Sequence, residues 1–158
     1  MSQGSLAPGC SACAEIAGEV SAPGGIIIDD ALWFVSHHTG PYTDPGELIV
    51  KTRRHCESLS DLTPQEAEAL GPLLRACVAA LTHAVVSERI YAVSFNERVR
   101  HVHFLLLPRT AAMPKGHVIS DIYRRVRALL RKVGVARNPT TEERATAALR
   151  IRRELERH

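Results

Sequence analysis

The sequence predicts an α+β fold, one mainly antiparallel sheet with helices packed on it. Three observations carry this. Short β-branched and aromatic runs are separated by glycine, proline and aspartate; one long amphipathic helical pattern lies among them; and only helical patterns follow residue 118.

Taken in order, the run Glu15 to Val20 is a candidate short helix, and Gly24-Gly25 mark a turn. Ile26-Ile27-Ile28 reads as a strand, Asp29-Asp30 as a tight turn, and Leu32-Trp33-Phe34-Val35 as the antiparallel return. His37 to Gly46 is loop, rich in proline and glycine, and Leu48-Ile49-Val50 is a third strand running into Lys51-Thr52-Arg53-Arg54-His55. Thr63, Pro64 and Glu66 form a capping box with proline at the first helical position. Ala67, Leu70, Leu74, Cys77, Leu81 and Ala84 then repeat with helical spacing, so a helix is expected over 64–86, with Cys77 on its apolar face as a small hydrophobe. Arg89 to Phe95 and His101 to Pro108 read as two strands of a hairpin. Ser120 to Lys132, with Ile122, Val126, Leu129 and Leu130 on one side, and a segment capped by Thr140 and Glu143 and reaching about Leu155, read as two closing helices. The expected organisation is a core domain over 1–118 with a helical extension, 119–158, packed on it.

Length and composition agree. A chain of 158 residues has room for one domain, and 45% apolar with 23% charged residues is the balance of a globular protein rather than a disordered one. No apolar run approaches the ~18 residues of a membrane span, and Met1-Ser2-Gln3-Gly4-Ser5 lacks the basic and apolar regions of an export signal, so a cytoplasmic location without membrane attachment is expected. Four cysteines are too few for a disulfide scaffold. Residues 1–118 carry 9 Lys and Arg against 12 Asp and Glu, whereas 119–158 carry 11 against 5. Eleven cations on two helices read as a solvated face rather than a nucleic-acid surface.

The chemistry concentrates in Arg100-His101-Val102-His103-Phe104-Leu105-Leu106-Leu107-Pro108-Arg109. Alternation on a strand sends His101, His103, Leu105 and Leu107 one way and Val102, Phe104 and Leu106 the other. Apolar residues on both faces imply burial on both sides. Two imidazoles there must be hydrogen-bonded, bound to metal or poised for reaction, because an unpaired buried polar group costs about 1–3 kcal/mol. A histidine pair spaced as HxH on one strand face is also able to chelate a single catalytic metal.

Three stretches stand in order: Cys10-x-x-Cys13, then Arg53-Arg54-His55-Cys56-Glu57 before the long helix, then Ser94-Phe95-Asn96-Glu97 leading into His101-Val102-His103 and Pro108-Arg109. Together they resemble the histidine triad (HIT) superfamily over about residues 10–109, with no counterpart for the last two helices. The resemblance implies a HIT-like fold that binds nucleotides and hydrolyses or transfers nucleotidyl groups. His103 matches the middle histidine of the triad, the nucleophile that forms a covalent nucleotidyl-imidazole. Neutral imidazole suits this role near pH 7, provided its other ring nitrogen is held by an acceptor. Cys10, Cys13, His55 and His101 match the ligands of zinc-containing members, a Cys₂His₂ set suited to a closed structural site. Asn96, Arg98 and Leu105 fall where the family contacts nucleotide or phosphate. The resemblance also implies a homodimer paired through the long helix and a sheet edge.

Two departures qualify these implications. Leu105 replaces the third histidine, which handles phosphate and the leaving group, and leucine can neither donate nor accept a proton. The connection Asn96-Glu97-Arg98-Val99-Arg100 is shorter than the family's glycine-rich loop. The alternative reading is therefore a nucleotide-binding or interaction protein that lost turnover with the third histidine. Trp33, Phe34 and Ile28 are candidates to seat a base, the arginine-rich tail is a candidate cover over phosphate, and histidines 37, 38, 83, 117 and 158 read as surface or loop residues.

Overall fold

The computed structural model describes residues 6–116 and 121–157. Helix α1 (Ser11–Ile16) leads into β1 (Ile26–Asp29), β2 (Trp33–His37) and β3 (Leu48–Thr52); helix α2 (Pro64–Ala84) follows, then β4 (Arg89–Val93), β5 (His103–Arg109), α3 (Asp121–Lys132) and α4 (Thr141–Glu156). The strands form one antiparallel sheet in the order β1-β2-β3-β5-β4. This is the α+β architecture that the sequence predicts.

Helix α2 begins as its residues dictate. The Thr63 side chain accepts from the Glu66 N–H at 3.2 Å, and the Glu66 carboxylate accepts from the Thr63 N–H at 2.8 Å. Gly71-Pro72 does not break this helix; both residues are exposed, so water can satisfy the carbonyl group that proline leaves unpaired. The apolar stripe of α2 packs on one face of the sheet, where Trp33, Val35, Leu48, Val50, Cys77, Leu81 and Leu106 are buried together. Trp33 therefore lies in the core and donates its indole N–H to the Glu66 carbonyl at 3.3 Å, which removes it as a base-seating residue on the opposite face.

Ala148 and Ile151 of α4 belong to this same core. Alanines on α4 allow close approach to the turn before β1: a Cβ added at Gly24 would stand 2.7 Å from the Ala148 Cβ and 2.8 Å from the Ala145 carbonyl oxygen. Helix α3 behaves differently. Its Tyr123 joins Tyr91, Leu105, Leu107 and Met113 on the sheet face away from α2. Arg127 and Arg131 turn inward to the Asp44 carboxylate, and Ile122, Val126 and Leu129 are exposed. Asp44 in the β2–β3 loop thus decides which side of α3 faces the sheet. Charge complementarity, not apolar periodicity, sets that orientation.

Some boundaries move. The first helix spans Ser11–Ile16 rather than beginning at Glu15, since the chain turns at Gly18 with φ +81°, a conformation that favours glycine. β2 continues to His37 because its pairing with β3 runs to His37↔Leu48. β5 begins at His103, so His101 precedes the strand. Ser120, His117 and His158 lie outside the described residues.

Candidate active site and metal centre

Three segments converge at one end of the sheet: α1 with the residue before it, the turn after β3, and the approach to β5. They bring Cys10, Cys13, His55 and His101 together, with one donor atom from each lying within 4.8 Å of every other. Cys13 Sγ lies 3.4 Å from His55 Nδ1 and 3.5 Å from His101 Nδ1, and Cys10 Sγ lies 3.6 Å from His101 Nδ1. In tetrahedral zinc with Zn–S near 2.3 Å and Zn–N near 2.05 Å, the S···N edge is about 3.6 Å. Both the donor set and its spacing fit zinc. His101, with no exposed surface, donates its Nε2–H to the Thr52 carbonyl at 2.8 Å, which leaves Nδ1 as the free donor atom facing the sulfurs. Burial pushes the His101 imidazole down to about 4, so it is neutral, as a ligand must be.

His103 sits outside this cluster. Its Nδ1–H donates to the His101 carbonyl at 2.6 Å, so the lone pair resides on Nε2. The His103 backbone N–H donates to Asn96 Oδ1 at 3.2 Å, and Asn96 takes the left-handed conformation, φ +53°, that brings its side chain to the strand end. The Asn96 oxygen therefore holds the His103 backbone at the start of β5. The two histidines do not converge on one ion: the His101 ring turns to the sulfurs, whereas the His103 ring is partly exposed and tethered to a carbonyl.

Register defines the face that His103 shares. Lys51 lies opposite His103 and Ile49 opposite Leu105 on β3; Phe34 and Ser36 lie opposite those two residues on β2. Lys51 is buried, with Nζ 2.6 Å from Glu15 Oε2 and 5.1 Å from the Phe34 ring centre. Phe34 is thus covered by Lys51, while Ile28 packs with the α2-side core. Leu105 contributes to the apolar group with Tyr91, Leu107, Met113 and Tyr123. Further along the face, a cavity of about 300 Å³ is lined by Leu107, His38, Glu47, Arg98, Tyr123 and Arg124, among others.

His38 lies in the loop after β2, as expected of a surface or loop residue, whereas His37 corrects that expectation as the last residue of the strand. His37 is fully buried, with Nδ1 donating to the His38 carbonyl at 2.9 Å and Nε2 accepting from the Gly46 N–H at 3.2 Å. His38 Nδ1 accepts from the Gly40 N–H at 2.9 Å. Burial, then the Arg124 guanidinium, pushes the His38 imidazole down to about 4. Glu47 is 3% exposed; one carboxylate oxygen accepts from the Asp44 N–H at 2.9 Å and the other lies 3.6 Å from Arg124 Nη2. The only sequence signal for His38 was its parity with Phe34 and Ser36, which acquires meaning once the β2–β3 register is known.

No protein-family model matches the chain, and no curated protein matches it. Solved structures do. A HIT-like protein from Bartonella henselae, described as involved in cell-cycle regulation, superposes with TM-score 0.68 at 17% identity, covering 95% of this chain and 98% of the other. A hypothetical histidine triad nucleotide-binding protein from Sulfolobus tokodaii gives 0.68 at 14% identity, with 94% and 93% covered. A zinc-bound histidine triad family protein from Mycobacterium smegmatis gives 0.65 at 19% identity, with 94% of each chain covered. The chain therefore has the histidine triad fold. The likeness extends over nearly its whole length, including the C-terminal helices that the sequence resemblance did not reach.

Proposed function

We propose that this is a divergent HIT protein that binds a nucleotide beside His103 and acts on it as a nucleotidyl hydrolase or transferase. One observation carries the reading: the His103 Nδ1–H is fixed on the His101 carbonyl at 2.6 Å, which leaves the lone pair on Nε2 of a half-buried residue. In the reaction, Nε2 attacks the α-phosphorus, an N–P bond forms, and the bond to the leaving group breaks with its electron pair departing on that group. The His101 carbonyl stabilises the positive charge that develops on the ring. Water or another acceptor then attacks phosphorus, and the N–P electron pair returns to the imidazole.

Cys10, Cys13, His55 and His101 would hold zinc as a structural clamp. When bound, the metal cross-links the N-terminal segment to both strands that flank the site. Asn96 orients His103, and Arg98 supplies charge for phosphate. A second copy of the chain would pair along the open edge of β4 and the outer face of α2, a prediction for sedimentation equilibrium. Among the described residues, no helix is long and apolar enough to cross a membrane; a cytoplasmic location is part of the proposal.

Two measurements test the function. Nucleotide-agarose should retain the protein, and a nucleotide substrate radiolabelled at the α-phosphate should leave acid-labile label on the wild type and none on His103→Ala. No retention and no label would reject the reading, while retention without label or turnover would leave a binding protein only.

A further inference from the structure

We infer a second ligand site, away from His103, in the cleft where α4 begins: it binds the phosphate of a phosphorylated sugar or polyol against Arg144.

The argument starts from buried charge. Among the described residues, Lys51, Arg109, Arg131 and Arg144 are the lysine and arginine side chains that the fold buries. A cation removed from water needs an anion beside it. Three of the four have one: Lys51 pairs with Glu15, Arg109 with Glu88 and Arg131 with Asp44. Arg144, 6% exposed, pairs with no carboxylate among the described residues. Its Nη2 donates to the Pro139 carbonyl at 2.6 Å, the Pro41 carbonyl at 2.9 Å and Asn138 Oδ1 at 3.2 Å, all neutral acceptors. The Nε–H is buried without an acceptor. These contacts fix the guanidinium in place and leave its charge unanswered.

The same residue lines a cavity of about 770 Å³ between the turn before β1, the β2–β3 loop and the first turn of α4. The other wall supplies more positive potential. Thr140 caps α4: its side chain accepts from the Glu143 N–H and its carbonyl from the Arg144 N–H, each at 3.2 Å. The N–H groups of Thr141 and Glu142 have no acceptor among the described residues, and a helix start with free N–H groups favours an anion. The acidic residues of this turn do not fill the role. Glu143 is taken by Arg137 and the Thr140 N–H, and Glu142 lines a different cavity, beside Val85 and Met113. No aspartate or glutamate lines the cleft itself.

The rest of the wall narrows the ligand. Ser21, Thr39 and Thr141 bring hydroxyl groups, which both donate and accept, and no aromatic side chain is present to stack on a base. Sugar or polyol hydroxyls fit such walls better than a nucleobase does. Pro41 is the one residue shared with the arginine-lined cavity beside His38, so the two spaces lie on either side of the β2–β3 loop. The inference is independent of what His103 does.

The test is titration calorimetry on the full-length, metal-loaded protein at fixed ionic strength, with ribose 5-phosphate, inorganic phosphate and ribose as probes. One equivalent of ribose 5-phosphate should bind, inorganic phosphate more weakly and ribose not at all. Arg144→Gln should raise the Kd about tenfold or more, the loss expected for a hydrogen bond to a charged group. Arg144 also ties the start of α4 to the β2–β3 loop, so a second variant leaves it in place. Thr141→Pro removes one N–H and one hydroxyl at the first helical position, where proline is favoured, and Thr140 already has the extended backbone that precedes proline, φ −72° and ψ 161°. This variant should melt like the wild type and raise the Kd several-fold. Binding lost in His103→Ala but unchanged in Thr141→Pro would place the phosphate beside His103, overturning the second site and leaving the nucleotide reading intact. Ribose binding as tightly as its phosphate, an affinity unchanged in both α4 variants, or no binding by the wild type would also overturn it.

Discussion

Replacing Gly24 with alanine should weaken the protein far more than the same change one residue later. Both glycines have φ +75°, so in each case alanine meets the left-handed backbone penalty of about 1–2 kcal/mol. Their surroundings differ. At Gly25 the nearest atom to an added Cβ is Arg152 Nη2 at 3.7 Å, an ordinary contact with the end of a flexible side chain. At Gly24 the Cβ would meet the Ala148 Cβ at 2.7 Å and the Ala145 carbonyl at 2.8 Å, so α4 must move away. Ala148 and Ile151 are core residues, and displacing them adds an overpacking cost of about 1–3 kcal/mol. Gly24→Ala should therefore cost about 2–5 kcal/mol and Gly25→Ala about 1–2. For a chain of this size each kcal/mol lowers Tm by about 2–4 °C, which separates the two variants by roughly 2–12 °C. Thermal melts followed by circular dichroism read the difference. Equal melting temperatures would mean that α4 does not seat against this turn, and the argument for a C-terminal extension integral to the domain would go with it.

Three further outcomes are expected. Metal analysis should find one zinc per chain, absent from Cys13→Ala and retained in His103→Ala; zinc at full occupancy in the Cys13 variant would remove the proposed site. The unfolded chain binds a proton at His38 near pH 6.5 and the folded chain only near 4, so this group makes stability fall as pH drops through that window and has no effect above it. His38→Gln should flatten the decline in urea midpoint between pH 6.5 and 4, and an unchanged slope would show that the imidazole titrates normally in the fold. Truncation after residue 118 strips Ala148 and Ile151 from the core and should abolish cooperative melting; a truncated chain melting as sharply as the full one would refute that.

The candidate metal ligands and the proposed nucleophile were legible because their spacing is local: Cys10 with Cys13, His101 with His103, and His55 just ahead of a well-capped helix. Alternation in the sequence also predicted which way His103 and Leu105 face. The remainder depended on contacts between distant segments. His38 and Glu47 became part of the face only through strand register, since nothing near them in sequence marks them. Helix α3 shows the limit of periodicity most plainly: its apolar stripe is unmistakable, yet Asp44, far away along the chain, draws Arg127 and Arg131 inward and leaves that stripe outside. Cysteine spacing likewise identified Cys10 and Cys13, but not that the helix begins between them.

His101 fastens two structures at once. Its ring reaches into the sulfur cluster while its carbonyl holds the neighbouring imidazole, and both belong to the same residue. The acceptor is a backbone atom, so a side-chain substitution at this position takes the ring out of the sulfur cluster and leaves the partner of the His103 Nδ1–H in place. Metal dependence can therefore be dissected at His101 as well as at the cysteines and His55, with the His103 tether kept in each variant.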